Sequence, residues 1–229
     1  MTTSREQLIE SFPLFSCLNS TERTALANMM EERRKERFEF IYRPEDSCDH
    51  LFFLAKGAIK IGTHNQDGKE VIKQLLHPEA IFGELGLVGQ QQRGEFARVL
   101  RDDVVIFAIR IADFQGLMYG NADLARRVMK VFGHRLIAAE DRLEGLIFKD
   151  ARTRIIDFIR KSVEQRGLRI GFEMLLKHSL THQDIANVTC TSRQTVTLVL
   201  NELRKSDLIY FNRGKILVRD MEALRTNAA

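Results

Sequence analysis

Near Asn121 the apolar spacing of this sequence changes, and the change separates two kinds of structure. Between Phe38 and Arg110 apolar residues come in short runs closed by turn residues: Leu51–Leu54 before Lys56-Gly57, then Ala58–Gly62, Val71–Leu76 and Val104–Ile109. Asn65-Gln66-Asp67-Gly68 supplies a hairpin turn between two of them, because glycine accepts the positive φ that such turns require. Short strands at even spacing predict an antiparallel sandwich or barrel. After Asn121 the period becomes helical. Residues 121–149 lack proline, and Phe132, Leu136, Ala139, Leu143 and Leu146 follow the alternating four-and-three step of a coiled-coil seam. That seam predicts a helix paired with an identical copy; the alternative is a stripe packed on the chain's own β-domain. A further helix is predicted over 151–165, with Ile155, Ile159 and Val163 inward and Gly167 as C-cap, followed by a strand pair around 169–176. Residues 3–36 read as helical, with the mixed-sign run Glu31–Glu36 as a solvated helix face.

Several function classes fall away. An apolar content of 44% with only 3 prolines in 229 residues is incompatible with a mostly disordered chain. No stretch approaches the ~18 apolar residues of a membrane span, and the opening Met-Thr-Thr-Ser-Arg-Glu lacks the apolar core of a signal peptide. Cys17, Cys48 and Cys190 are isolated, which predicts a reducing, cytoplasmic setting without a disulfide scaffold, zinc ribbon or cysteine-held cluster. No HExxH, GxSxG or Walker A motif is present, and Gly83, Gly86 and Gly89 are spaced GxxGxxG. No catalytic or metal-ligating residue is therefore assigned. Charge is uneven: residues 149–229 hold 15 Lys and Arg against 9 Asp and Glu, a net of +6, whereas residues 1–148 carry −2. Such a sign change points to a C-terminal part that meets a polyanion, or to ordinary solvated surface.

Residues 180–219 decide between these. Thr181-His182-Gln183-Asp184 fits a capping box, and a short helix with Ile185, Ala186 and Val188 apolar follows it. The helix breaks at Thr189-Cys190-Thr191, and Ser192 caps a second helix running to about Lys205. On this helix Val196, Val199, Leu200 and Leu203 form a buried stripe. Arg193, Gln194, Thr197, Asn201, Arg204 and Lys205 project elsewhere, at ~100° per residue. A short helix, a tight turn and a longer helix with a polar outer face make a helix-turn-helix; the alternative is a two-helix protein-binding module. Arg193 can fork onto guanine O6 and N7, and Gln194 can pair with adenine N6 and N7. Thr197 meets a phosphate or a base edge, and Leu198 can touch a thymine methyl. Thr181, His182, Gln183 and Ser192 sit at helix starts, where phosphates bind. Residues 208–218 read as a β-hairpin whose basic tip, with Arg213 and Lys215, forms a wing. The inter-helix turn favours glycine for its positive φ, and this chain has Cys190 there.

These stretches resemble the CRP/FNR family of bacterial transcription regulators over nearly the whole chain. The resemblance is carried by Ile81-Phe82-Gly83-Glu84-Leu85-Gly86-Leu87, by Arg93 with Arg98 five residues on, and by Thr-Ser-Arg-Gln-Thr-Val at 191–196. It implies an α+β fold: an N-terminal antiparallel β-roll of jelly-roll type (residues 1–120), a long dimerisation helix (121–149) and a C-terminal winged helix-turn-helix (150–229). It further implies a homodimer on double-stranded DNA, with RNA polymerase as a partner. By the same resemblance Gly83, Glu84, Leu85, Arg93 and Gly94 occupy effector-binding positions. Gly94 stands where a phosphate-bonding Ser or Thr is usual, Ala139-Glu140 where adenine is read, and Pro44 and Glu79 where turn glycines are usual. Three effector readings follow: an unidentified small molecule or none; haem through a His or Met, with His50, His64, His77 and His134 available but none nominated; or cAMP or another cyclic nucleotide. An ion pair between Arg93 and Glu84 is the structural alternative for both residues. The rival function is a ligand-binding signalling module without duplex readout.

Overall fold

The computed structural model describes residues 5–100 and 102–226 of the chain. They form two compact units, residues 5–65 with 73–138, and residues 139–226 with the short segment 66–72.

In the first unit, α1 (Arg5–Ser11), a 3-10 turn (Pro13–Cys17) and α2 (Ser20–Met29) precede the strands. Asn19 caps α2 through a reciprocal pair with Glu22. The mixed-sign run then departs from expectation: Glu31–Lys35 is strand β1, not a helix face. Its backbone is claimed by a distant strand, since Glu31 pairs with Ala108 and Lys35 with Val104. Next come β2 (Phe40–Tyr42), β3 (His50–Lys56), β4 (Ile59–His64), β5 (Glu70–Leu76), β6 (Ile81–Phe82), β7 (Phe96–Val99) and β8 (Val104–Arg110). Two antiparallel sheets result, ordered β1-β8-β3-β6 and β2-β7-β4-β5.

The period-two alternation of β3 and β8 builds two cores on opposite faces of one sheet. Phe52, Leu54, Ile106 and Ala108 face the second sheet and meet Tyr42, Ile59, Ile61, Ala97 and Val99. Leu51, Phe53, Phe107 and Ile109 point the other way, onto Leu8, Phe12, Phe15 and Leu26 of the N-terminal helices and onto Phe114 and Leu124. Phe114 belongs to α3 (Ile111–Gly120), and Leu124 to the long helix α4 (Ala122–Phe148).

The second unit contains α5 (Ala151–Arg166), β9 (Leu168–Ile170), β10 (Glu173–Lys177), α6 (His182–Thr189), α7 (Arg193–Lys205), β11 (Ile209–Asn212), β12 (Lys215–Val218) and α8 (Met221–Thr226). Its sheet is ordered β11-β12-β10-β9. Ile155, Ile159 and Val163 of α5 are fully buried, as are Val196, Leu200 and Leu203 of α7, so both predicted stripes form the core. Gly167 ends α5 by close approach, because a Cβ there would lie 2.5 Å from the Val163 carbonyl. Among the described residues, no helix is long and apolar enough to cross a membrane.

Candidate nucleic-acid interface and effector site

In the first unit the turn after β6 gathers the residues expected to meet an effector. Gly83 adopts φ +77, and a Cβ there would lie 2.9 Å from Arg93 Nη1, so only glycine fits. Arg93 is 5% exposed; its Nη1 donates to the Gly83 carbonyl at 2.9 Å and its Nη2 to the His50 carbonyl at 2.6 Å. The guanidinium lies 4.4 Å over the Tyr42 ring, a cation–π contact in a desolvated setting. The ion pair between Arg93 and Glu84, the structural alternative to effector binding, does not form. Glu84, equally buried, pairs with Arg135 of α4, which also donates to the Ile81 carbonyl. Arg93 is already taken by two carbonyls, and a helix far along the chain supplies the cation for Glu84. Burial lowers Arg135 to about 10, which still leaves it protonated at neutral pH.

Two polar atoms in this place lack partners. Among the described residues, the buried side-chain polar atoms without a hydrogen bond are Tyr42 Oη, Arg93 Nε and Arg127 Nε, and the first two share one site. Burial also pushes the Tyr42 phenol well above its ordinary value, so it is a neutral donor. Leu85 is partly exposed and Gly94 is open: a Cβ there would meet only Gln90 Nε2, at an ordinary 3.5 Å. Glu79 itself takes φ +71, and Glu45 beside Pro44 takes φ +72, so carboxylate side chains hold the turns where glycines were expected. Of the histidines available in this unit, His50 is bonded to Asp49 and lies against Arg33, and His64 stacks on Phe96.

In the second unit the capping box is present as read. Thr181 Oγ1 accepts from the Asp184 amide at 3.1 Å, and Asp184 accepts from the Thr181 amide at 2.9 Å. Ser192 caps α7 by accepting from the Thr195 amide at 3.0 Å. The exposed residues that open α7, Arg193 and Gln194, make no side-chain hydrogen bond or ion pair to the described residues. Thr197 lies on the same side, and Leu198 is 63% exposed. Gln183 donates to Asn187, and His182 Nδ1 lies 3.0 Å from Thr197 Oγ1. Burial and the nearby Arg193 charge hold His182 below the ordinary histidine value, so it is neutral at pH 7. Arg213 and Lys215 are exposed at the β11–β12 turn, where Gly214 takes φ +82.

Cys190 takes φ +52 and ψ +49, the left-handed region that the turn demands of whatever residue stands there. Two arginines that sequence reasoning missed support it. Arg142 of α4 donates to the Val188 carbonyl at 2.7 Å and lies 3.7 Å from Cys190 Sγ. Arg154 of α5 donates to the Thr189 and Cys190 carbonyls at 3.0 and 3.2 Å. These are C-terminal carbonyls that α6 cannot bond internally. No local spacing marks either arginine for this task.

Along α4, Leu136, Leu143 and Ala139 are exposed and Leu146 is 40% exposed, whereas Phe132 is partly buried against the first unit's core. Met129, Ile137, Ile147 and Phe148, outside the expected seam, are also exposed.

Comparison with known proteins agrees with this layout. The cyclic nucleotide-binding domain family matches residues 32–121, and the Crp-like helix-turn-helix domain family matches residues 153–226. The global nitrogen regulator of Synechococcus elongatus is 28% identical over 82% of this chain and 86% of its own. The cyclic AMP receptor protein of Thermus thermophilus is 26% identical over 93% of this chain and 94% of its own. A solved CooA variant from Carboxydothermus hydrogenoformans shares the fold, with a TM-score of 0.81 and 24% identity over 96% of this chain and 97% of its own. The relatives are regulators of transcription and not enzymes. With a cyclic nucleotide-binding-type sheet domain followed by a Crp-like reading head, this chain belongs to the CRP/FNR family of DNA-binding transcription regulators.

Proposed function

We propose that the chain acts in the cytoplasm as a homodimer on a pseudo-palindromic operator, organised as a sensor β-roll (1–120), a dimerisation helix (121–149) and a winged helix-turn-helix (150–229). Two copies of α7 enter successive major grooves, with half-sites ~34 Å apart. Arg193, Gln194 and Thr197 meet base edges; Thr181, His182, Gln183, Ser192, Arg213 and Lys215 meet the backbone. The observation that carries this reading is the pair of unpartnered, exposed side chains at the capped start of α7. Leu136, Ala139, Leu143 and Leu146, with the half-buried Phe132, supply the dimer seam, and an apolar stripe this open on a single copy favours a second one. RNA polymerase is the further partner that the family suggests.

The β-roll takes a small anion at Gly83, Glu84, Leu85, Arg93 and Gly94. Support comes from the orphaned Tyr42 Oη and Arg93 Nε, which a ligand with acceptor atoms would satisfy. Adenine finds no hydroxyl donors at Ala139-Glu140, so cAMP is the weaker candidate, and the histidine contacts give haem no particular support.

Selection of duplexes from a randomised pool by the full chain tests the main claim. The expected result is an inverted repeat, bound by a species of twice the chain's mass in gel filtration. Affinity should fall steeply with KCl, because lysines and arginines displace condensed counterions. A salt-independent affinity, or a selection that yields no motif, rules the reading out. Isothermal titration with cAMP separates the effector readings.

A further inference from the structure

Thr197 stands on the outer side of α7 and His182 opens α6, and a hydrogen-bond chain joins them. Thr197 Oγ1 lies 2.9 Å from the Arg193 carbonyl, one turn back in its own helix, and 3.0 Å from His182 Nδ1. A carbonyl only accepts, so the single hydroxyl proton of Thr197 is committed to Arg193. His182 must therefore be the donor, which fixes its proton on Nδ1. Packing holds the ring in place: it leans on Phe211 of β11 at a centroid separation of 6.0 Å, and Arg204 covers Phe211 from 5.2 Å. Thr197 is left with one lone pair and no proton to offer outside the protein.

We propose that His182 is a positioning residue for base readout: by donating to Thr197 it makes that hydroxyl a pure acceptor. Thr197 then selects a base edge carrying an exocyclic amine, adenine N6 or cytosine N4. It rejects guanine O6 and thymine O4, whose lone pairs would face its own. The inference rests on the reading that α7 enters the major groove. Without the imidazole donor, the hydroxyl can leave the Arg193 carbonyl, turn outward and donate, and the discrimination is lost.

The test uses the full chain and four proteins: wild type, His182→Phe, His182→Asn and Thr197→Val. Phenylalanine keeps a ring against Phe211 but has no donor. Asparagine places an N–H at the same distance from Cβ as Nδ1. Duplexes selected from a randomised pool give each protein's preference at every position. At one half-site position wild type and His182→Asn should prefer the amine-bearing base, and His182→Phe and Thr197→Val should not. Replacing that base by its analogue without the amine (unsubstituted purine for adenine) should weaken wild type and His182→Asn about 5-fold, the worth of one hydrogen bond, and leave the other two unchanged. An unaltered preference in His182→Phe or in Thr197→Val, or undiminished wild-type binding to the amine-free duplex, overturns the inference. Should His182→Phe fail to fold, His182→Leu, likewise without a donor, takes its place. A wild-type chain that selects no sequence overturns the major-groove reading itself, and this inference with it.

Discussion

The β-roll and the winged unit each present an arginine on which function was expected to turn, and the two stand in opposite settings. Arg93 is 5% exposed, its terminal nitrogens each hold a backbone carbonyl, and an aromatic ring covers its face. Arg193 is exposed, sits at the first position of a capped helix, and its side chain makes no hydrogen bond or ion pair to the described residues. The sequence alone does not distinguish them, since each is an arginine beside a helix start or a turn. Their surroundings do. A guanidinium whose partners are internal is part of the fold before it is anything else. One left unpartnered beside free helix N–H groups keeps its donors for a visitor.

The contrast can be broken by substitution. Arg93→Leu should lower the stability of the chain by about 3 kcal/mol in urea unfolding, because two buried carbonyls lose charge-assisted donors. A change within about 0.5 kcal/mol would mean that these bonds hold nothing. Arg193→Ala should do the reverse, weakening operator binding by about 2 kcal/mol and leaving the unfolding midpoint in place. Equal damage to stability from both would erase the distinction. A smaller effect sharpens the second region: Cys190→Gly should stabilise the chain by about 0.5 kcal/mol, as glycine occupies the left-handed region without strain but loses more chain entropy. A destabilised variant would show that the thiol beside Arg142 outweighs the backbone strain.

The smallest effect concerns protons. His182 titrates below its ordinary 6.5 in the folded chain. The unfolded chain therefore binds the proton more readily, and the stability contributed by neutral His182 is lost as pH falls through 6.5 and below. His182→Asn should flatten that part of the pH profile, and the NMR titration of the His182 ring should have its midpoint below 6.5. A midpoint at or above it would contradict the burial of the ring.

Legibility followed the distance over which residues act. The Thr181–Asp184 box, the stripe of Val196, Val199, Leu200 and Leu203, and the wing turn at Gly214 depend on neighbours within a helical turn or a hairpin, and the sequence shows them. β1 departs from the sequence expectation because Glu31–Lys35 looks solvated on either helix or strand; its pairing with β8 is set by residues remote in the chain. Glu84 pairs with Arg135 rather than with Arg93, the alternative that the sequence offered, since the choice depends on where α4 passes. The sequence leaves the turn at Cys190 either strained or differently shaped, and the structure shows the strained form at φ +52; the guanidinium pair that steadies it has no sequence signal, since a donor can reach a carbonyl from any element and arginine has no spacing rule for that duty.

The ties on α6 have one more consequence. Three successive carbonyls at its end, those of Val188, Thr189 and Cys190, are held from outside by Arg142 and Arg154. A terminus anchored at three points neither unravels nor swivels alone; it follows its anchors. A shift of the last turns of α4 is therefore passed on through Arg142, and one of α5 through Arg154, to the turn from which α7 starts.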